Sequence, residues 1–257
     1  MILLFGGTTE GKQAIKVLTA LRCSFVYSTK TKVSVSEDIN YRYGALDQQS
    51  MTDLIQEQNI RLIVNCAHPF ASRLHDTIHA VASRLNIDVI RMERIYPTRT
   101  IHPLVHYIDN YTKALSKLAQ FNQPTLLALT GVQSISKLKA YWKKTRCYFR
   151  ILDREESKLL AASNDFPFEQ LILGLPNGAL VNEINTIRQH NIGIILTKES
   201  GESGGLSTKI EAAIACNVPI LIISKPLLPT SFILAKSTNE LHLLIKNHVS
   251  VQSLSKT

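Results

Sequence analysis

The sequence lacks any apolar run long enough to cross a membrane. A membrane-spanning helix needs about 20 mostly apolar residues, and the longest apolar runs, such as Val218–Ile223 and Leu62–Val64, are strand-length. The first residues, Met1–Gly7, carry neither a basic region nor a small-residue cleavage site and so do not resemble a signal peptide. We therefore expect a cytoplasmic protein without a membrane partner.

Cysteine is scarce, and its spacing excludes two common uses. The four cysteines form no C-x-x-C pair and match no zinc pattern. We expect buried free thiols in a reducing cytoplasm, and no metal site. The four are Cys23, Cys66, Cys147 and Cys216.

Acidic residues are outnumbered, with 20 acidic and 29 basic side chains giving a net charge of +9. This excess favours an anionic partner, which could be nucleic acid, a phosphate-bearing cofactor or a polycarboxylate. Charge alone does not separate these three. The 257 residues, 45% of them hydrophobic, are enough for the core of one large or two small domains.

Strand-like and helix-like segments alternate along the chain, which predicts an α/β fold with parallel sheets. The stretch Met92–His106, with Pro97 and Pro103, interrupts this alternation and is the expected domain crossover. We expect two Rossmann-like lobes with a cofactor and substrate cleft between them. The predicted parts are a dinucleotide-binding lobe over residues 1–100, an α/β substrate lobe over 101–248 and a frayed tail over 249–257.

A glycine-rich turn, Gly6-Gly7-Thr8-Thr9-Glu10-Gly11, joins the apolar strand Ile2–Phe5 to a helical segment. Glycines at this position let the backbone approach a phosphate, and the amides of a helix N-terminus then face the anion. Thr8 stands where the usual G-x-G-x-x-G fingerprint has its middle glycine. The turn indicates dinucleotide binding, and the alternative is an ordinary tight turn with a threonine cap.

The end of the next strand carries Ser28, Thr29 and Lys30. NAD-binding units usually have an acidic residue about 20 positions after the glycines, where it binds the ribose hydroxyls. No acid is present here, and hydroxyl and amino groups suit a 2′-phosphate. The pattern favours NADPH, with NADH possible, unless the segment is simply a solvated basic loop.

The segment Asn65–Ala71 leads from a buried strand into a helix, at the edge where ligands of open α/β sheets lie. His68 within it has the chemistry to hydrogen-bond a cofactor or pass a proton. The alternative is that His68 only packs or caps.

A polar run, Thr197–Lys209, lies between a buried strand and a helix. It is not a Walker A loop, because no Gly-Lys-Ser/Thr closes it. Its glycines, hydroxyls and lysines nevertheless predict an anion cradle, with a flexible surface loop as the alternative.

The stretch Lys137–Arg150 holds six basic residues, no acid and four aromatic residues. Such interleaving resembles a nucleic-acid surface. However, Ile135, Leu138 and Trp142 fall at helical spacing and would face a core. A solvated face and a site for a small polyanionic substrate are the other two interpretations.

Taken in order, these motifs resemble the precorrin-6A reductase family of cobalamin biosynthesis, over about residues 1 to 226. That family opens with GGT-x-E and has a D-A-T-H-P-[FY]-A motif, a Thr-Gly pair, a T-K-x-S-G-G stretch and K-x-E-A-A. The matching segments here are Gly6–Glu10, Asn65–Ala71, Thr130-Gly131, Thr197–Gly201 and Lys209–Ala213.

The chain departs from the family pattern at several positions within these motifs. Asn65 replaces the usual Asp, and Ala67 replaces Thr. Glu202-Ser203 is inserted before Gly204-Gly205, and Val132 follows Thr130-Gly131 where Arg is common. These departures concern details of cofactor contact.

The resemblance implies hydride transfer from NAD(P)H to a double bond of precorrin-6A, or of its cobalt form, giving the matching precorrin-6B. The many carboxylates of this tetrapyrrole fit the positive net charge. Another NAD(P)-dependent reductase and a non-catalytic dinucleotide sensor remain alternatives. We expect a monomer or small homo-oligomer that binds no nucleic acid.

The predicted site residues are His68 for catalysis; Gly6, Gly7, Thr8, Glu10, Ser28, Thr29, Lys30, Thr130 and Gly131 for the cofactor; and Lys198, Ser200, Gly201 and Lys209 for the substrate.

Overall fold

The computed structural model describes residues 1–122, 125–174 and 179–254. Contacts divide the chain into two compact units: Met1–Ile95 together with Pro226–Thr257, and Tyr96–Lys225. Each unit contains one sheet of six parallel strands. The predicted α/β class with two parallel sheets is therefore confirmed.

The first unit is built from strands that follow one another with helices between most of them. Its strands are β1 (Ile2–Phe5), β2 (Phe25–Thr29), β3 (Tyr41–Tyr43), β4 (Leu62–Asn65), β5 (Asp88–Met92) and β12 (Ile233–Ala235). Its helices are α1 (Thr9–Ala20), α2 (Gln48–Glu57), α3 (Ser72–Leu85) and α9 (Thr238–Leu254). The strand order across the sheet is β12-β5-β4-β1-β2-β3.

The strands β1 and β4 are buried on both faces, because helices cover the sheet from both sides. Alternate strand residues point to opposite faces, and they enter two separate apolar clusters. One face packs against α1 and α9, and the other packs against α2 and α3. The first cluster includes Leu4, Val64, Leu18 and Leu241, and the second includes Leu3, Ile63, Met51 and Ile78.

The second unit repeats this arrangement with a different strand order, β6-β11-β10-β7-β8-β9. Its apolar core joins β7, β10 and β11 to α7 and α8. The strands are β6 (Val105–Ile108), β7 (Thr125–Ala128), β8 (Arg146–Ile151), β9 (Leu171–Leu173), β10 (Ile194–Lys198) and β11 (Ile220–Ile223). The helices are α4 (Tyr111–Leu118), α5 (Lys139–Trp142), α6 (Glu155–Ala162), α7 (Leu180–Gln189) and α8 (Leu206–Ala215).

Each sheet has one point where the strand order reverses. In the first sheet the chain proceeds from β1 to β2 and β3, then crosses back to β4 on the other side of β1. In the second sheet the same reversal separates β7 from β10. Ligands of open α/β sheets bind beyond the carboxyl ends of the strands at such points. The two reversals therefore mark where each unit can hold a ligand.

The division into units differs from the predicted lobes near the C-terminus. We expected one continuous second lobe over 101–248, but the chain returns to the first unit at Pro226. The reason is that β12 pairs with the open edge of β5, and Leu241 and Ile245 of α9 complete the core beside α1. The predicted tail over 249–257 is helical to Leu254, and residues 255–257 lie outside the described residues.

Some short elements also differ from the expected ones. The patterns did not predict β3, β6, β12 or α6. The helical spacing of Ile135, Leu138 and Trp142 corresponds to two 3-10 turns followed by the short helix α5, and not to one continuous helix. There the indole N–H of Trp142 donates to the carbonyl oxygen of Ile135 at 2.8 Å.

Each unit contains two of the four cysteines. All four cysteines are free, with Cys66 and Cys147 buried and Cys23 and Cys216 half-buried. Among the described residues, no helix is both long and apolar enough to span a bilayer. The same part of the chain has no cluster of three or more His, Cys, Asp or Glu side chains suited to a metal ion.

A buried ion pair holds β8 to α7 in the second unit. Both guanidinium nitrogens of Arg150 donate to the carboxylate of Glu183, at 2.6 and 3.0 Å. Only 10% and 5% of the two side chains are exposed. Removing one partner of such a pair leaves the other charged group buried and uncompensated.

We predict that Glu183→Ala lowers the free energy of unfolding of the second unit by about 3–5 kcal/mol. Urea denaturation followed by fluorescence measures this, because Trp142, the one tryptophan of the sequence, lies in this unit against Phe166. Asp153→Ala is the control, since its pair with Lys158 is largely exposed, and it should leave the transition nearly unchanged. Equal midpoints and slopes for Glu183→Ala and the unaltered chain would contradict this role of the pair.

Candidate active site

Three glycines shape the turn between β1 and α1, each for a different reason. Gly7 has φ +88°, which favours glycine, and it is exposed; a Cβ there would meet only the Thr29 side chain, at 3.9 Å. A Cβ on Gly6 would come within 2.2 Å of the Tyr27 ring, and one on Gly11 within 2.9 Å of the Gly6 backbone. Gly6 and Gly11 therefore allow close packing, and Gly7 leaves open space above the turn.

Hydrogen bonds hold this turn in place. The backbone N–H of Gly7 donates to the Tyr27 hydroxyl at 2.9 Å. The Thr8 hydroxyl donates to the Cys66 carbonyl oxygen at 2.7 Å and accepts from the Gly11 N–H at 3.1 Å, which caps α1. Tyr27 is buried, and this burial raises the pKa of its hydroxyl. Sequence patterns did not single out Tyr27, because a tyrosine inside an apolar strand resembles ordinary core.

Glu10, predicted to bind the cofactor, forms a buried ion pair. Its carboxylate lies 3.2 Å from the guanidinium of Arg94, and each side chain is only 6% exposed. The pair ties the first turn of α1 to the segment after β5. The structure therefore gives Glu10 a supporting role beneath the glycine turn.

The hydroxyls predicted at the end of β2 are buried and already hydrogen-bonded. Ser28 accepts from the Arg42 guanidinium at 2.7 Å. The Thr29 hydroxyl lies 2.7 Å from the Thr31 carbonyl oxygen and 2.8 Å from the Tyr41 hydroxyl. Lys30 is exposed. Of the three predicted residues, Lys30 presents its polar group to solvent, and Arg42 is an additional cation that the sequence reading missed.

A buried network fixes the segment after β4. The Asn65 amide oxygen accepts from the Ala67 N–H at 3.1 Å and from the Arg91 guanidinium at 3.2 Å. The same guanidinium nitrogen of Arg91 donates to the Ala67 carbonyl oxygen at 2.7 Å. Asn65 and Arg91 are almost fully buried, so these bonds are shielded from water. The network sets the course of the backbone that leads to His68.

His75 of α3 completes the network in its neutral form. Burial, and next the charge of Arg91, lower the pKa of His75 to about 4. The Asn65 amide nitrogen lies 3.1 Å from His75 Nδ1 and donates to it, so the ring proton is on Nε2. His75 Nε2 lies 3.2 Å from the His68 carbonyl oxygen and donates to it. Neither His75 nor Arg91 was predicted to belong to the site.

His68 itself is half-buried. Its Nδ1 accepts from the backbone N–H of Phe70 at 3.1 Å. A neutral imidazole that accepts at Nδ1 carries its proton on Nε2. The contact with Phe70 thus places the His68 proton on Nε2.

In the second unit, two predicted motifs meet where β7 and β10 flank the strand reversal. The Lys198 ammonium donates to the Thr130 carbonyl oxygen at 2.6 Å. The Thr130 hydroxyl is buried and 2.5 Å from the Ser134 hydroxyl. Gly131 has φ +80°, with no atom within 4 Å of where its Cβ would be. The Thr130-Gly131 turn and Lys198 therefore form one local site with open space above the glycine.

The loop after β10 brings further groups to this site. Lys209 is buried, and its ammonium donates to the Gly204 carbonyl oxygen at 2.6 Å. Ser200 and Gly201 are also buried, and Gly205 has φ +66° with open space at its Cβ position. The predicted substrate residues thus lie on a loop whose backbone accepts a hydrogen bond from its own Lys209 side chain.

Positive charge accumulates around Lys198. Burial, followed by repulsion from Lys137 and Lys209, lowers the pKa of Lys198 to about 8. The Lys137 ammonium lies 4.7 Å from the centre of the Tyr111 ring. Burial raises the pKa of Tyr111 to about 12, so this neighbour is a neutral phenol at physiological pH. A cluster of amines of this kind favours an anionic ligand.

Acidic partners pair with two residues of the basic stretch, and Lys143, Lys144 and Arg146 are exposed. Lys139 pairs with Asp165 at 3.1 Å, and Arg150 is bound to Glu183. Within the stretch Lys137–Arg150, Lys137 lies close enough to repel Lys198 of the local site. The arrangement favours a local anion site over an extended nucleic-acid surface.

Comparisons with known proteins agree on one family. The family model for precorrin-6x reductase CbiJ/CobK matches residues 1–246. A cobalt-precorrin-6A reductase from Methanocaldococcus jannaschii is 26% identical over 232 residues, covering 88% of this chain and 90% of that protein. One from Priestia megaterium is 24% identical over 257 residues, covering 95% and 98%.

A solved structure shares the fold. The structure of a CobK precorrin-6A reductase superposes with a TM-score of 0.81 at 18% identity and covers 96% of each chain. At that identity the likeness concerns the fold, and the family follows from the sequence match. Since the family model covers nearly the whole chain, this protein belongs to the precorrin-6x reductase family.

Proposed function

We propose that this protein reduces precorrin-6A, or its cobalt form, with NADPH as the hydride donor and NADH as the alternative. One hydride and one proton add across a double bond of the tetrapyrrole, and the nicotinamide is oxidised. The observation that carries the proposal is the match of the precorrin-6x reductase model to residues 1–246, a range that includes both glycine-rich sites. The four free thiols are consistent with a cytoplasmic location.

The glycine turn fits the pyrophosphate of a dinucleotide. Gly7 is exposed, and its missing side chain leaves open space just before the N-terminus of α1, where a helix favours an anion. Bound there, the cofactor supplies the hydride. Gly6 and Gly7 would form the floor of the site, while Thr8 and Glu10 hold the turn. Thr130 and Gly131 remain a second candidate contact for the cofactor.

The substrate carboxylates are assigned to the lysines of the second unit. Lys198 and Lys209 lie with Ser200 and Gly201 around the turn after β10, and Lys137 lies close enough to repel Lys198. A bound carboxylate would relieve the repulsion among these ammonium groups. This provides orientation for a polyanionic substrate, which is what a hydride transfer chiefly requires of the protein.

The proposed reaction predicts tetrapyrrole-dependent oxidation of NADPH, one equivalent per equivalent of substrate. Absorbance of the reduced nicotinamide is followed with precorrin-6A and with its cobalt form. Cofactor binding without oxidation in the presence of either substrate would instead support a dinucleotide sensor. Binding to DNA or RNA with a steep salt dependence, and no oxidation, would support the nucleic-acid interpretation.

We predict that His68 orients its ligand and is not the essential acid. Its Nδ1 accepts from Phe70, so a doubly protonated ring would lose that bond. Loss of a general acid typically reduces kcat by about a thousandfold. His68→Ala should reduce kcat by less than this, and part of its effect should appear as a higher KM. His68→Gln, which keeps a side-chain donor, should recover part of the loss.

His79→Ala is the matched control for this experiment, because His79 is an exposed histidine on α3 that bonds Ser231. It should leave both kinetic constants unchanged. A loss in kcat well beyond about a thousandfold for His68→Ala, with cofactor binding intact, would identify His68 as the acid instead.

Substrate binding should weaken as pH rises through about 8, where Lys198 loses its proton. Below that pH the ammonium is charged and attracts carboxylates; above it the amine is neutral. A charge-assisted bond of about 1.5–3 kcal/mol corresponds to about ten- to hundredfold in KM. Steady-state KM for the tetrapyrrole between pH 6.5 and 9.5 measures the effect.

Lys198→Met should have a high KM at every pH in this range and no inflection near pH 8. Lys158→Met is the control, because Lys158 of α6 pairs with Asp153 and this variant should retain the full profile. An unchanged inflection in Lys198→Met would assign the titration to another group.

A further inference from the structure

The edge strand β3 brings an arginine to the end of β2. Phe5, Ser28 and Arg42 lie in register across β1, β2 and β3. Neighbouring strands are about 4.8 Å apart, so Arg42 starts about 10 Å from the strand that ends in the glycine turn. In nucleotide-binding sheets of this order, the end of the strand next to β1 is where the adenosine ribose is recognised.

Arg42 is held in a fixed orientation by neutral groups. One guanidinium nitrogen donates to the Ser28 hydroxyl at 2.7 Å and to the Gly44 carbonyl oxygen at 3.2 Å, and the other donates to the Tyr43 carbonyl oxygen at 3.3 Å. Partial burial lowers the pKa of Arg42, but a guanidinium keeps its charge at any physiological pH. Its orientation therefore does not depend on an acidic partner.

The charge of Arg42 is not balanced by a carboxylate within ion-pair distance anywhere in the described ranges 1–122, 125–174 and 179–254. Of the other arginines with long-range contacts, four have such a partner, and Arg84 instead donates to the Thr52 hydroxyl. The pairs are Arg91 with Glu93, Arg94 with Glu10, Arg99 with Glu199 and Arg150 with Glu183. Arg42 is thus a positioned cation that an external anion can satisfy.

Two other features beside Arg42 fit the same ligand. Tyr43 is 55% exposed, and its ring stacks on Tyr41 with centroids 6.2 Å apart. The Lys32 ammonium lies 5.8 Å from the centre of the Tyr43 ring. A supported, exposed aromatic face suits the stacking of a planar base, and the nearby ammonium adds positive charge for a phosphate.

We propose that Arg42 is the residue that selects NADPH over NADH, by binding the 2′-phosphate of the adenosine, with Ser28 orienting the guanidinium and Tyr43 supporting the adenine. The planar guanidinium matches phosphate geometry with two parallel donors, which an ammonium does not. This inference rests on the proposed function. It replaces direct phosphate binding by the buried hydroxyls of Ser28 and Thr29.

The test is equilibrium binding of NADPH, NADH, 2′,5′-ADP and 5′-AMP by calorimetry, without substrate. Arg42→Met should weaken NADPH and 2′,5′-ADP by about ten- to hundredfold, the value of a charge-assisted bond. NADH and 5′-AMP should bind nearly as before. The affinity of Arg42→Lys for NADPH and 2′,5′-ADP should lie between those of the unaltered chain and Arg42→Met, because lysine keeps the positive charge but lacks the two parallel N–H donors of the guanidinium.

Two control variants fix the interpretation. Lys246→Met removes an exposed cation from α9 and should change no affinity. Gly7→Val should weaken NADPH and NADH equally by about tenfold or more, because it fills the turn without touching the 2′-phosphate. Circular dichroism and the urea transition show whether each variant is folded.

The outcomes separate the inference from the proposed function. If Arg42→Met and Arg42→Lys are folded and keep the NADPH to NADH ratio of the unaltered chain, or weaken both cofactors equally, the assignment of Arg42 is overturned while the reductase proposal stands. If the unaltered chain binds none of the four ligands, the proposed function fails and the inference fails with it.

Discussion

Parallel strands cannot be joined by a tight turn, so each parallel pair requires a long crossover connection. As a result, the carboxyl ends of all strands in a sheet lie along one edge. In the first sheet this edge brings together the glycine turn, Ser28, Arg42 and Asn65, although they are up to 59 positions apart in sequence. In the second sheet the same constraint joins Thr130 to Lys198, 68 positions later. Residues that are far apart in sequence form one site here only because the parallel topology places the ends of their strands side by side.

The buried charge of Arg91 has a related effect on the segment that carries His68. A guanidinium that is 1% exposed must be compensated by hydrogen bonds or a carboxylate. Arg91 is within 3.8 Å of Glu93 and donates to the backbone and side chain of Asn65 and to Ala67. The hydrogen bonds that compensate the buried charge of Arg91 therefore fix the backbone between β4 and α3.

Asn65 suits this network in a way that the more usual aspartate of the family would not. Its amide accepts from Arg91 on one side and donates to His75 on the other. An aspartate only accepts when ionised, so His75 would have to carry a proton on Nδ1, and keeping the bond from Nε2 to the His68 carbonyl oxygen would then require a doubly protonated ring. The asparagine thus allows a neutral His75, in agreement with a pKa of about 4.

Much of the fold was predictable because its signals are local. The glycine turn, the capping Thr8 and the alternation of apolar strands with helices depend on neighbours in sequence, and the structure has them where the patterns indicated. In contrast, β3 and β12 are three residues long and are strands only because β2 and β5 offer open edges. Arg42 and the return of Pro226–Thr257 to the first unit were missed for that reason.

The lysines of the second unit show why charge counts do not locate a site. The net charge of +9 and the run Lys137–Arg150 suggested a basic face, but Arg150 is neutralised by Glu183 and Lys139 by Asp165. Lys143, Lys144 and Arg146 are exposed. Lys137 and Lys209 come close enough to Lys198 to repel its ammonium group. The fold holds these ammonium groups close at a cost in free energy, and an anion placed among them would remove that cost. Burial lowers the pKa of Lys198 most, and the repulsion that adds to this effect favours a bound carboxylate.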